Sequence, residues 1–238
     1  MSEKPKDRPG DESFYARRVA IAREIDALPG ATTGNAAERA DWFERVYAGA
    51  DGDAAGVPWA DLRPKDVLVN WLRKNPGHGQ RAIDIACGLG DNAEAIAAAG
   101  YRTVGFDVAP SAVEWARARF PHSPVDYRVA DLFNPPADWV GAFDLVSECY
   151  TIQSLTGAIR EAAFAAVARL VKPGGHLLVV ARTKEDYVPQ PGPPWPLTPS
   201  ELAHFGALGL VKVASRNYVV ERPGRVIPHK FIVYRREA

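Results

Sequence analysis

From residue 81 to residue 181, short apolar runs alternate with longer segments of helical period, and glycines or acids stand at the junctions. The pattern predicts strands at 81–86, 101–106, 125–129, 143–147 and 176–181, and helices at 92–99, 110–120 and 157–170. Strands alternating with helices imply a parallel sheet with right-handed crossovers. Ahead of it, 14–28 and 37–48 read as helices, and a third opens at Pro64 with Val67, Leu68, Trp71 and Leu72 on its buried face. Trp42, Phe43, Val46 and Tyr47 form a stripe of the kind that packs into a core. Beyond Arg182 the rhythm changes. Six prolines surround Trp195 between 189 and 199, an extended loop long enough to be a lid or a pocket wall. A helix at 198–208 and two strands at 210–220 and 227–234 follow. The turn at Pro223-Gly224 leaves no room for a crossover helix, so these two strands must pair antiparallel. The expected fold is α/β: a Rossmann-like, doubly wound, mostly parallel seven-stranded sheet ending in an antiparallel hairpin, with an N-terminal helical cap. Residues 1–12 are expected to be a disordered tail, 13–75 the cap and 76–238 the ligand-binding domain.

Composition narrows the setting. The 238 residues carry no net charge and are 47% hydrophobic, ordinary for a globular chain. A neutral surface argues against broad nucleic-acid binding, which needs phosphate neutralisation. No apolar run approaches the length of a bilayer span, and the polar N-terminus lacks a secretory core, so a cytoplasmic protein without a membrane partner is expected. Two cysteines, Cys87 and Cys149, make no disulfide framework, and no Cys/His spacing suggests a metal.

The chemistry concentrates in Ala82-Ile-Asp-Ile-Ala-Cys-Gly-Leu-Gly-Asp-Asn92. It reads as strand, tight turn and helix, with glycines that allow close ligand approach and a helix start that offers free N–H groups. Gly88 to Ala93 also fits the loose dinucleotide pattern G-x-G-x-x-A. The charges point elsewhere. Asp84 and Asp91 flank the loop with no Lys or Arg between them, which suits a cationic ligand better than a pyrophosphate. S-adenosylmethionine, with its ammonium and sulfonium, is such a ligand. Asp107 follows Gly88 by nineteen residues, near the roughly 20-residue spacing of an acid that binds ribose hydroxyls.

These features in order resemble a class I S-adenosylmethionine-dependent methyltransferase: Asp84-Ile-Ala-Cys-Gly-Leu-Gly90, Asp107 and Asp131 at the ends of strands two and three, Phe143-Asp-Leu-Val-Ser147, Leu170-Val-Lys-Pro-Gly-Gly175 and the closing hairpin. The resemblance runs from about Val57 to the C-terminus. One departure is that Ala86 replaces the family's first loop glycine, and alanine there requires that φ stay negative. Pro58-Trp59, the helical cap and Tyr150-Thr-Ile-Gln-Ser-Leu155 resemble more narrowly the thiopurine- and tellurite-type small-molecule enzymes.

The resemblance implies S-adenosyl-L-methionine as cofactor. Ala86, Gly88 and Gly90 would lie along its methionine and ribose, Asp84 would hold the ammonium and Asp107 the ribose. Asp131 would accept from the adenine amino group, with Val108 and Leu132 on the ring faces. Glu148 would meet the methionine or the substrate. Trp59, Tyr150, Gln153 and Trp195 would meet the acceptor, although a loop tryptophan can equally anchor its loop. His176 reads as structural and His204 as a surface or cap residue. No His/Asp dyad offers a general base, and no catalytic residue is assigned. That absence favours an intrinsically nucleophilic small-molecule acceptor such as a thiolate, a selenide or an aromatic nitrogen. Rival readings are an RNA or protein methyltransferase and a catalytically silent cofactor-binding protein, with a nicotinamide dehydrogenase well behind. Acceptor identity and oligomeric state are not readable from the sequence.

Overall fold

The computed structural model describes residues 12–189 and 191–237. The tail expected over 1–12 lies outside these residues except for Glu12, which begins the first helix. Seven strands form one sheet in the order β3-β2-β1-β4-β5-β7-β6. They are β1 (Arg81–Ile85), β2 (Arg102–Asp107), β3 (Asp126–Val129), β4 (Phe143–Cys149), β5 (Val171–Arg182), β6 (Leu210–Arg222) and β7 (Arg225–Arg236). The first five are parallel, whereas β7 runs antiparallel between β5 and β6. Pro173-Gly174-Gly175, read from sequence as a turn before strand five, lies inside β5. There it shifts the register from Phe143↔Val171 to Leu145↔His176.

Both sheet faces are covered, which is why the central strands read as continuous apolar runs. On one face Ile83, Phe106, Val146, Leu177, Val179 and Ile232 pack against Phe164 and Val167 of α6 (Gly157–Ala168) and Leu202 and Phe205 of α7 (Pro199–Ala207). On the other, Ala82, Leu145, Leu178, Val180, Phe231 and Val233 meet α3 (Asp66–Lys74) and Ile96 of α4 (Asp91–Ala98). Helix α5 (Pro110–Arg119) sits beside α4, with Val113 and Ala116 on Ala93 and Tyr127. Although the sequence reading groups α3 with the cap, its Val67, Leu68 and Leu72 are buried against this sheet face.

Helices α1 (Glu12–Asp26) and α2 (Ala36–Gly49) lie instead over the carboxyl ends of the strands. Phe14, Tyr47, Ala55 and Val57 share one apolar cluster with Leu89, Ala109 and Ala112 of the βα turns. Buried Arg39 fastens the cap: its guanidinium donates to the carbonyl oxygens of Gly30, Ala31 and Ser154, the last belonging to the loop after β4. Trp42 donates through Nε1 to the Ile25 carbonyl at 2.9 Å and so links α2 to α1. Seating the cap here encloses space above the switch point between β1 and β4, where open α/β sheets bind ligands.

Candidate active site

That space is a cavity of about 1300 Å³. Its floor is the turn from β1 into α4. Gly88 and Gly90 take φ values of +51° and +89°, as a reversal this tight requires. A side chain at Gly88 would come within 2.9 Å of the Tyr47 hydroxyl, and one at Gly90 would collide with that of Tyr127. The expectation for Ala86 needs correction, because it adopts φ +49°. The turn demands the left-handed region whichever residue occupies it, and the alanine carries that strain, of order 1–2 kcal/mol.

Asp107 is almost fully buried and lines the cavity. Its Oδ2 accepts from the Gly88 N–H and its Oδ1 from the Ala109 N–H, each at 3.0 Å. The acid therefore joins the glycine turn to the start of α5, while each oxygen keeps a lone pair. Burial raises its pKa to about 6 against the opposing pull of these backbone donors. Asp84 is buried beneath the loop and does not line the cavity. It takes a hydrogen bond from Ser147, and burial, reinforced by Asp107, Asp91 and Glu148, raises its pKa to about 7. Its Oδ1 is buried with no partner. A desolvated acceptor of this kind is costly unless a donor or a cation completes it.

Val108, Leu132 and Asp131 line the same end of the cavity. Asp131 is exposed on the rim, and its Oδ1 accepts from the Phe133 N–H at 2.9 Å in a local turn. Four sequence candidates stand away from the cavity wall: Asp84, Gly90, Glu148 and Trp195. Gly90 is drawn back under Tyr127. Glu148 continues β4 and turns inward, so that Oε1 accepts from the N–H groups of Thr151 and Ile152 at 2.8 and 3.0 Å. It stabilises the reversal in which Tyr150 reaches φ +67°. Burial raises its pKa to about 7, and Oε2 is left without a partner.

The two loop tryptophans part company. Trp59 lines the cavity, packs against Trp42, Phe43 and Tyr47, and donates through Nε1 to the Tyr47 hydroxyl at 2.8 Å. The cap's aromatic stripe is thus both core and cavity wall. Trp195 is an anchor instead: its N–H donates to the Gln153 carbonyl at 2.7 Å, and Arg160 donates to the carbonyls of Trp195 and Pro196. The loop is pinned at Trp195, Pro196 and Leu197, whose N–H donates to the Arg182 carbonyl, while Pro193 and Pro194 line the cavity, so this part of it serves as wall. Gln153 lines the cavity, but its Oε1 accepts from the Arg182 N–H at 2.7 Å. Tyr150 lines it as well, between Lys65, whose Nζ is 4.3 Å from the ring centroid, and His229 at 5.5 Å between ring centres.

His229, Arg182, Arg222 and Arg225 also line the cavity, and sequence reasoning missed them. A signal existed. In β7, His229 shares a face with buried Phe231 and Val233, and a polar residue on an apolar face of alternating period marks an edge of the core.

A model of the methyltransferase domain family matches residues 83–179, the stretch from β1 to β5 that builds the glycine turn and its acids. Over that stretch the chain belongs to the class I S-adenosylmethionine-dependent methyltransferases. It is 28% identical over 167 residues to the 2-heptyl-1-hydroxyquinolin-4(1H)-one methyltransferase of Mycobacteroides abscessus, covering 68% of this chain and 73% of that one. It is 31% identical over 144 residues to the ubiquinone biosynthesis O-methyltransferase of Aromatoleum aromaticum, covering 59% of this chain and 60% of that one. In fold, this methyltransferase is similar to the N-methyltransferase NodS of Bradyrhizobium japonicum WM9 solved with S-adenosyl-L-homocysteine, with TM-score 0.59, 16% identity and coverage of 93% and 99%. No helix among the described residues is long and apolar enough to cross a membrane.

Proposed function

We propose that this methyltransferase acts on a small ring-bearing molecule at an oxygen atom. One observation carries the reading: the cap encloses the cavity over an acid-lined glycine turn, so cofactor and acceptor share a chamber walled by Trp42, Phe43 and Trp59. Its residues fit S-adenosylmethionine. The unpartnered Oδ1 of Asp84 and the spare lone pairs of Asp107 are acceptors in search of donors and positive charge. On this reading Asp107 holds the ribose diol and Asp84 draws the ammonium, directly or through water. The backbone at Ala86 and Gly88 lies along the methionine and ribose, and Val108, Asp131 and Leu132 frame the adenine. Gly90 and Glu148 act through the shape of the turns they build. When bound, the cofactor supplies an electrophilic methyl whose leaving group is a neutral thioether, so departure needs no general acid. The protein's own contribution is to fix both partners and exclude water.

The names of the relatives favour oxygen over the sulfur, selenium or nitrogen acceptors suggested by the missing base. A chamber roofed by the cap disfavours an RNA or protein acceptor. Cytoplasmic operation belongs to this reading and is supported by two free cysteines. The test is calorimetric titration of the wild type and Asp107→Ala with S-adenosylmethionine, using NAD as control. At least tenfold weaker binding in the variant, about 1.4 kcal/mol, is expected. Preference for NAD, or no binding to the wild type, would overturn the assignment.

A further inference from the structure

The cavity wall at the carboxyl end of β5 and the amino end of β7 has the opposite chemistry. Arg182 ends β5, and its register partner on β7 is His229. Leu178 and Val180 precede Arg182 on one sheet face, and Phe231 and Val233 follow His229 on the same face. Both polar side chains therefore stand where that apolar face runs out into the cavity. Arg222 and Arg225 flank the hairpin turn, and Lys65 enters from the loop before α3. One carboxylate answers them. Asp61 takes Lys65 Nζ at 2.6 Å on Oδ2 and Arg222 Nη2 at 3.0 Å on Oδ1, with Arg18 at 3.7 Å.

Arg182 and Arg225 have no carboxylate within ion-pair distance among the described residues, and the Nε of Arg182 is buried without a hydrogen-bond partner. Arg182 is half-buried, and a guanidinium partly withdrawn from water with no anion beside it is unfavourable. His229 adds no charge. Its Nδ1 lies 2.8 Å from the Ile227 carbonyl, so the neutral ring donates there and keeps Nε2 as an acceptor. Burial and the surrounding cations hold its pKa at about 4. Tyr150, its hydroxyl pKa raised by burial, stays protonated and able to donate.

We propose that this basic wall receives an oxyanion carried by the methyl acceptor, a carboxylate or an ionised ring hydroxyl, with Arg182 as its main partner. The proposal rests on the methyltransferase reading and adds the charge of the substrate to it. A guanidinium fork matches two oxygens of a planar anion, and charge-assisted bonds of this kind are about twice as strong as neutral ones. Tyr150, whose ring lies 5.5 Å from that of His229, supplies flat apolar surface beside it, and Tyr218 packs on His229 at 5.3 Å. The acceptor would thus arrive as an anion, with no proton left for a base to remove from the ionised group, consistent with a site whose one histidine is surrounded by cations.

The experiment is calorimetry on the full chain saturated with S-adenosylhomocysteine, with benzoate, 4-nitrophenolate and neutral benzamide as probes. At least one anion should bind tenfold or more tightly than benzamide, and the stronger of the two distinguishes carboxylate from ring oxyanion. Arg182→Met should remove most of that preference while leaving S-adenosylhomocysteine affinity within about twofold, and Arg182→Lys should restore part of it. Arg225→Ser, in the exposed hairpin turn, should weaken the anion about two- to threefold and provides the test if Arg182→Met fails to fold. Equal binding of benzamide and the anions, binding of none of them, or an anion preference that survives Arg182→Met in a folded protein would overturn the proposal. A wild type that fails to bind S-adenosylhomocysteine would refute the underlying methyltransferase reading instead.

Discussion

Replacing Ala86 by glycine should make this protein more stable, although most substitutions do the reverse. Ala86 sits at φ +49° and is exposed toward the cavity, so its methyl contributes little packing that could be lost. A left-handed conformation costs an L-residue about 1–2 kcal/mol. Glycine escapes that cost but gives up about 0.5–1 kcal/mol through the extra freedom of its unfolded chain. The balance is a gain of about 0–1.5 kcal/mol, or roughly 0–6 °C in Tm for a chain of this size. Differential scanning calorimetry on wild type, Ala86→Gly and the control Ala97→Gly measures it. Ala97 lies within α4, where the same exchange should lower stability by about 1 kcal/mol. If Ala86→Gly lowers Tm as the control does, the strain argument fails and position 86 does not carry a left-handed residue in solution.

Two further outcomes follow from the same geometry. Asp84, Asp107 and Glu148 have pKa values raised by burial to about 7, 6 and 7, above those of an unfolded chain, so the stability they contribute is present below about pH 4 and lost as pH rises toward 7. A cationic cofactor favours their ionised forms, so S-adenosylmethionine affinity should instead rise between about pH 5 and pH 7.5, with protons released on binding, and Asp84→Asn should flatten that rise in calorimetry. Arg160 forms a two-pronged pair with Glu201 at 2.6 and 2.9 Å and also donates to the carbonyls of Ile152, Leu155, Trp195 and Pro196. Arg160→Ala should cost about 2–3 kcal/mol, lower Tm by roughly 5–10 °C and open the 189–199 loop to proteolysis; an unchanged cleavage rate would show that the loop is held by other contacts.

How far the chain could be read from its sequence depended on whether the deciding contacts were local. Strands β1, β4 and β5 were legible because both faces of each are buried, which leaves an apolar signature in the strand itself. Asp107 was legible because a strand end and a helix start fix its place relative to Gly88. Ala86 was misread because the turn sets its φ, and the residue type only determines the strain. Trp59 and Trp195 both sit beside prolines and look alike in sequence. What separates them is distant: Tyr47 turns the first toward the cavity, while Gln153 and Arg160 tie the second down. The basic wall was harder still, because Lys65, Arg182, Arg222 and His229 come from four separate segments and converge only once β7 slots between β5 and β6.

The insertion of β7 ties fold to function. A purely parallel continuation would place a crossover connection beside β5 and keep the chain on the faces of the sheet. The antiparallel hairpin instead carries its turn, with Arg222 and Arg225, past the carboxyl ends of the parallel strands, on the side where the glycine turn and Asp107 open. The N-terminal cap reaches the same edge from above and brings Asp61 and Lys65 against that hairpin. Asp107, at the end of β2, therefore shares one chamber with bases from the end of β5, the hairpin and the segment before α3. Within it, two ligands of opposite charge are sorted to opposite ends before any contact specific to either is made. The acid end belongs to the segment that the family model matches, whereas most of the basic wall lies outside residues 83–179. Acceptor choice can then diverge through the cap and hairpin while the cofactor end is kept, as expected where specificity resides in segments grafted onto a common sheet.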